Sequence, residues 1–327
     1  MFWIGDNGMP PIAVINEFAN EYTTARYFVE ALEELGVPHR LYHPSEQQRI
    51  PKEFAIRLYI DDGTHYCIYP DPDVIKILYI IDTHTRIDLD LYLCRFADAV
   101  YCAQFNAVAL VKPICRHASW LPLGCSTKWH RSENTPFLYD ISFIGGVNDV
   151  KRGKYLNFLK ERYAGRSFIG RADKSDIGKI YSGSRIAFNI SSNNDINMRF
   201  FEVLCSGALL ITERVHNNGM EQLLQGIDKP VCLFFDTLEE AAFLIDYYLE
   251  HEEEREAIAK RGRSFAESQT YVSRMKSILE DSTSVQSMNA NMISYLSNCI
   301  MLTIRENGIK NTAKQYLGKL KRAFTND

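Results

Sequence analysis

Apolar residues fall into short continuous runs, and between the runs they recur at every third or fourth position. The first pattern suits strands buried on both faces and the second suits helices with one buried stripe. Ile12–Asn16, His39–His43, Ala55–Ile60, Ile77–Ile81 and Ala99–Cys102 read as strands. Glu21–Leu35 reads as a helix through Ala25, Phe28, Val29, Leu32 and Leu35, stopped by Gly36, and a second helix is expected around Asp90–Phe96. Trp120-Leu121-Pro122-Leu123-Gly124, followed by a polar stretch to Pro136, reads as the end of one unit and a linker.

The alternation then resumes. Asp140–Ile144, Arg166–Ile169, Ile186–Ile190, Leu209–Thr212 and Val231–Phe235 are the expected strands. Arg152–Tyr163, Ile177–Ser182, Ile196–Cys205, Met220–Leu224 and Leu238–Glu250 are the expected helices, followed by His251–Gln269, a helix to about Asp281 and a last one over Met288–Phe324. Strands alternating with helices imply parallel sheets covered on both faces. The expected architecture is two Rossmann-like, doubly wound domains facing across a cleft, residues 1–136 and 137–284, with a helical extension at 285–327. Ligands of such sheets bind beyond the carboxyl ends of the strands.

Composition narrows the classes. With 327 residues, 46% of them hydrophobic, there is material for two full cores. A net charge of −4 gives no general attraction to nucleic acid. No run reaches the roughly 18 apolar residues of a membrane span. Met1–Asp6 lacks the basic-then-apolar order of an export signal, so a cytoplasmic location is expected. Eight scattered cysteines without a C-x-x-C pair fit reduced thiols better than disulfides or zinc.

Three loops at strand ends carry candidate chemistry. In "FIGGVNDVKRGKYL" (143–156), Gly145 and Gly146 end a strand while Lys151 and Arg152 open a helix. Helix-terminal amides with two cations make a phosphate site, although glycine pairs also make ordinary turns. The spacing matches neither G-x-G-x-x-G nor the P-loop. In "FNISSNNDIN" (188–197) the polar run exceeds what capping by Asp195 or Asn197 requires, which points to hydroxyl or phosphate recognition. In "NDINMRFFEVLCSGALLITE" (194–213), Arg199 and Glu202 share one face of an apolar helix. A carboxylate suits the vicinal diol of a ribose and an arginine suits an anion. The plain alternative is an i,i+3 ion pair worth about 0.5 kcal/mol.

"YDISFIGG…KRGKYLNFL" with "IAFNIS…NMRFFEVLCSGALLITE", preceded by "ADAVYCAQ…ASWLPLGCSTKWH", resembles spore-maturation-type (CgeB-like) glycosyltransferases, relatives of glycosyltransferase family 4. The resemblance covers about residues 75–275 and implies the GT-B fold. It implies transfer of a sugar from a nucleotide-diphosphate donor to a glycan, lipid-linked or protein acceptor, retaining, without metal or other cofactor. Glu202 matches the second Glu of the family's Glu–seven residues–Glu motif, which binds ribose; the first position holds Asn194, a departure that loses the carboxylate over the transferred sugar. Lys151 or Arg152 resembles the diphosphate cation, amides around Asn193–Asn197 would face the diphosphate, and Gly170 and Arg171 sit where the family touches the base. With no bound metal, Lys151, Arg152 and Arg199 would meet the leaving charge. Asp82 and His84 follow a strand of the first domain; Asp82 would orient the imidazole and His84 would contact the reacting sugar or take a proton, unless the two are merely local hydrogen-bonding residues.

Asp61 and Asp62 stand at a similar strand end and are candidate acceptor contacts. Asp71-Pro72-Asp73 and Asp88-Leu89-Asp90 look like metal-binding Asp-x-Asp pairs but read as turn and helix-capping residues. Arg305–Asp327, with six Lys or Arg, reads as a closing helix or as a contact with an acidic membrane face. Two other readings stay open: a non-catalytic nucleotide- or sugar-binding protein, and a nucleotide-sugar epimerase.

Overall fold

The computed structural model describes residues 10–18, 21–61, 67–147, 149–287, 295, 297 and 300–301. Asp62 and the segment 305–327 lie outside the described residues. The first sheet holds β1 (Ile12–Ile15), β2 (His39–Tyr42), β3 (Ile56–Asp61), β4 (Ile75–Ile80), β5 (Ala99–Cys102) and β6 (Ala118–Trp120). They are parallel and ordered β2-β1-β3-β4-β5-β6. The second holds β7 (Tyr139–Ile144), β8 (Ser167–Gly170), β9 (Ser184–Asn189), β10 (Leu209–Glu213) and β11 (Leu233–Phe235), parallel and ordered β11-β10-β9-β7-β8.

The helices between them are α1 (Thr24–Glu34), α2 (Thr83–Cys94), α3 (Ala107–Val111), α4 (Val150–Arg162), α5 (Ile177–Ser182), α6 (Met198–Ser206), α7 (Met220–Leu223), α8 (Leu238–Glu250), α9 (Glu252–Ala266) and α10 (Tyr271–Ser282). Strands such as Ile12–Ile15 are buried throughout because helices cover both faces, so no polar alternation was there to be read. In each sheet the order reverses once, between β1 and β3 and between β7 and β9, and a crevice opens at each reversal. Around the second, α4 packs on one face through Tyr155, Leu156 and Leu159, while α6 packs on the other through Phe200, Phe201, Val203 and Leu204.

The structure adds elements that the apolar pattern does not announce. Helix α2 starts at Thr83, earlier than expected, and contains a kink at Arg86 (φ −147°, ψ 22°), whose polar side chain turns inward and breaks the helical stripe. The edge strand β6 has three residues and α3 five, too short for periodicity to register. Helix α10 crosses back and lies on α1: Tyr27 and Tyr271 stack at 5.0 Å, and Phe28 meets Tyr271 edge-on at 5.3 Å. One apolar cluster therefore runs without interruption from Phe28 of α1 through Tyr271 to Phe200 and Phe201 of α6. Among the described residues, no helix is long and apolar enough to cross a membrane.

Candidate functional site

Helix α6 follows β9 directly across the second crevice, and its residues set the site. Asn197 occupies its N-cap with extended backbone, but the side chain makes no cap bond; it donates instead to Asn189 Oδ1 (3.2 Å) at the end of β9. The C-terminus turns through Gly207 at φ 84°, the tight reversal expected from Ser206-Gly207-Ala208. Glu202 lies on the inner face. Its side chain is 11% exposed, and it lines a cavity of about 750 Å³ with Tyr22, Gly145, Phe168, Arg171 and Ile177. Tyr22 comes from the first domain, and its hydroxyl donates to Ala172 O (3.2 Å), so the cavity wall draws on both domains. Burial pushes the Glu202 carboxyl up to about 7 against the pull of Arg199.

Arg199 and Glu202 do not pair with each other. The Arg199 Nε donates to Ile144 O (2.7 Å), its Nη1 to Asn189 Oδ1 (2.9 Å), and the guanidinium lies over the Phe143 ring at 4.3 Å. It thus clips the ends of β7 and β9 together behind the glycine loop. Gly145 follows at φ 154°, where a Cβ would stand 2.3 Å from Arg199 Nη2, so this position accepts only glycine. Arg152, nearly buried, braces the same loop: Nη1 donates to Gly146 O (3.2 Å) and Nη2 to Ile190 O (3.1 Å). Burial, then the like charge of Arg199, press the Arg152 pKa below its ordinary value. Asp149 caps α4, accepting from Arg152 N (2.7 Å) and from Ser192 Oγ (2.5 Å).

Lys151 is exposed and ion-paired with Glu213. Gly170 ends β8 with open space around it and accepts from Gly145 N (2.8 Å); Arg171 follows on the cavity wall. Asn194 sits at φ 54° with its amide already used, donating to His216 O (2.8 Å) and accepting from His216 N (2.9 Å). It therefore ties two loops together, which leaves neither amide atom idle.

Residues of the first domain are placed differently from one another. Asp82 is the exposed N-cap of α2 at φ 54°, and His84 is exposed two residues on; no hydrogen bond joins them. Asp82's carboxyl is raised chiefly by burial of its surroundings; His84 lowers it, and Asp195, across the cleft, raises it again. Asp61 is fully buried and salt-bridged to Arg86 (2.5 Å), so it does not stand open to an acceptor. Asp90 lies within α2 rather than at its cap, buried, and is pushed up to about 8 by burial and by Asp61. Asp71 does form the expected turn, accepting from Asp73 N (3.1 Å).

Residues 140–280 match the family model described as glycosyl transferase-like. No curated protein sequence matches the chain. Among solved structures, Anabaena HepE in complex with UDP and glucose superposes with a TM-score of 0.61 at 11% identity, covering 85% of this chain and 100% of that one. Sucrose-phosphate synthase from Thermosynechococcus elongatus gives 0.56 at 11%, covering 84% and 100%. The N-terminal domain of Candida albicans trehalose-6-phosphate phosphatase gives 0.58 at 8%, covering 84% and 97%. The fold is GT-B.

In that GT-B frame, the sequence reading singles out Gly145, Gly146, Arg171 and Glu202, which line one cavity. It missed the segment between the domains. His130, inside the polar stretch read as a linker, is fully buried, with Nε2 3.5 Å from Glu202 Oε1. Beside it, Lys174 bonds Glu30 Oε1 (3.0 Å) and lies 4.2 Å over the Tyr27 ring, while Trp129 Nε1 donates to Glu30 (2.8 Å). A lone histidine among polar residues carries no local signal of burial.

Proposed function

We propose that the chain is a glycosyltransferase that takes a sugar from a nucleotide-diphosphate donor, of the CgeB-like type related to family 4. The observation that carries the reading is Glu202: a carboxylate held in the wall of an interdomain cavity at the crevice of the second sheet. In its ionised form it accepts the two hydroxyls of a ribose. Behind the adjoining loop, Arg152 and Arg199 are held close enough for their charges to oppose each other. A diphosphate over the Gly146 amide relieves that repulsion, and it grows more favourable as the leaving group gains charge. Arg171 and the end of β8 take the base.

The same reading extends to the finer assignments. Transfer proceeds with retention and without metal, Lys151 leaves Glu213 for the diphosphate, and His84 and Asp82 face the reacting sugar from the first domain. The acceptor is a glycan, lipid-linked or protein, met in the cytoplasm, with residues 305–327 as a contact for an acidic membrane surface.

One observation favours a non-catalytic alternative. Asn194 replaces a carboxylate of the family motif, and its amide is committed to His216. A single experiment separates the two. Wild type and Glu202→Ala are titrated with UDP, GDP and ADP and then incubated with the matching sugar donors. The proposal expects binding by wild type, a weakening of about tenfold or more in the variant, and release of nucleoside diphosphate. Binding without release identifies a sensor; equal binding by both proteins removes Glu202 from the site.

A further inference from the structure

The segment between the domains holds one buried polar group whose hydrogen-bonding capacity is only half used. His130 Nδ1 accepts from the backbone N–H of Ser126 (3.0 Å). A backbone amide can only donate, so the neutral ring carries its proton on Nε2. Among the described residues that Nε2–H has no hydrogen-bond partner, and it faces Glu202 Oε1 from 3.5 Å. The ring cannot drift away. Its own carbonyl accepts from Ser206 Oγ (2.9 Å) at the end of α6, and Tyr27 of α1 packs on it at 5.7 Å. Burial and the nearby Lys174 keep the ring uncharged.

We propose that His130 is a positioning residue for Glu202: its Nε2–H closes onto Oε1 and fixes the carboxylate so that its remaining lone pairs meet a vicinal diol. The proposal rests on the reading of Glu202 as the diol-binding group. An orphaned donor nine-tenths buried and aimed at a cavity-lining carboxylate is an incomplete hydrogen bond, and a gap of 3.5 Å closes with a small rotation of the Glu202 side chain. Because the ring also rests on Tyr27, the contact links the donor side to helix α1 of the other domain.

Two conservative substitutions divide the two ring nitrogens. His130→Gln places an N–H near the Nε2 position and keeps the donor to Glu202. His130→Asn places its oxygen near Nδ1, keeps the acceptor for Ser126 and falls short of Glu202. Binding is measured for whichever of UDP, GDP and ADP wild type holds best, and for its 2′,3′-dideoxy analogue. The expectation is a loss of about tenfold or more in His130→Asn and less than about threefold in His130→Gln. The loss should be absent for the dideoxy ligand and absent on a Glu202→Ala background. Equal losses in both variants, or a loss that persists with the dideoxy ligand, overturns the proposal in favour of a packing role.

A ligand-free arm keeps the test independent of the functional reading. The Glu202 carboxyl is followed by carbon NMR as pH rises; the other charged or titratable groups facing it, Arg199, Tyr27, Tyr181 and Tyr271, are the same in all variants. Loss of the N–H in His130→Asn should move the Glu202 midpoint upward relative to wild type, and His130→Gln should not. If no nucleotide binds wild type, the proposed function falls; if the midpoint is also unmoved, the contact falls with it.

Discussion

Glu202 has to serve two incompatible conditions. Its burial favours the neutral acid, whereas the proposed recognition of a diol requires the carboxylate. Its pKa is raised to about 7, so between the ordinary carboxylate range and about pH 7 the folded protein holds a proton that the unfolded chain has released. Stability from this group is therefore fully present below the unfolded pKa and falls as pH rises towards 7, by roughly 3 kcal/mol for a shift of this size. Glu202→Gln removes the ionisation while keeping the shape. The ligand-free variant should be more stable than wild type to chemical denaturation, and the advantage should be larger at pH 8 than at pH 5.5. The same variant should bind nucleoside diphosphate more weakly. A stability difference that does not change with pH would mean that the carboxylate is well solvated in the open cleft. In the proposed role the residue trades stability for recognition, a common pattern where a site is built before its ligand arrives.

At the scale of elements, the loop after β7 and the start of α6 form one unit through Arg199. Gly145 is the point where that unit has no slack, since a methyl group there meets Nη2 at 2.3 Å and the backbone sits at φ 154°. Arg199 can move only by releasing Ile144 O or Asn189 Oδ1, which frees the ends of β7 and β9 from each other. Gly145→Ala should therefore cost about 1–3 kcal/mol of stability and weaken nucleoside diphosphate binding more than tenfold, measured by denaturation and calorimetry. Binding that survives intact would show that the loop amides do not touch the phosphates. The glycines were legible in the sequence because they punctuate an apolar run, and the parallel sheets were legible because buried strands are uniformly apolar. Side-chain partners were not. The spacing of Arg199 and Glu202 suggests a mutual pair, yet Arg199 reaches β7, 55 residues earlier in the chain. Asn194 finds His216 22 residues on, and His130 finds Ser206 76 residues on. Helical spacing reports which residues share a face, and it holds no information about what the tertiary fold brings to that face.

The whole molecule is joined where the chain passes between domains twice. Cys125, on the outward pass, pairs with Thr270 on the return pass as a parallel bridge, with Cys125 N donating to Gln269 O (2.9 Å) and Tyr271 N to Cys125 O (3.0 Å). Arg274 secures the crossing from α10: Nε donates to Pro122 O (2.9 Å), Nη2 to Leu123 O (3.2 Å) and to Gln269 Oε1 (2.6 Å). Burial lowers its pKa, and no salt bridge to a carboxylate is seen among the described residues. The Tyr27–Tyr271 stack and the Phe200–Phe201 pair belong to one apolar cluster beside this crossing, which Arg274 holds in register. Wild type should accordingly unfold in a single calorimetric transition. Arg274→Met keeps most of the volume but orphans the Pro122 and Leu123 carbonyls at about 1–3 kcal/mol each. Relief from burying a guanidinium offsets part of that, which leaves a net loss near 2 kcal/mol. The variant should then melt lower and, because the loss is confined to the crossing, should separate into two transitions, with added nucleoside diphosphate raising only the one that belongs to the second domain. Two transitions in wild type, or a lower but still single transition in the variant that the ligand raises as a whole, would place the coupling in the shared apolar cluster or nowhere, and not in the clasp that Arg274 makes.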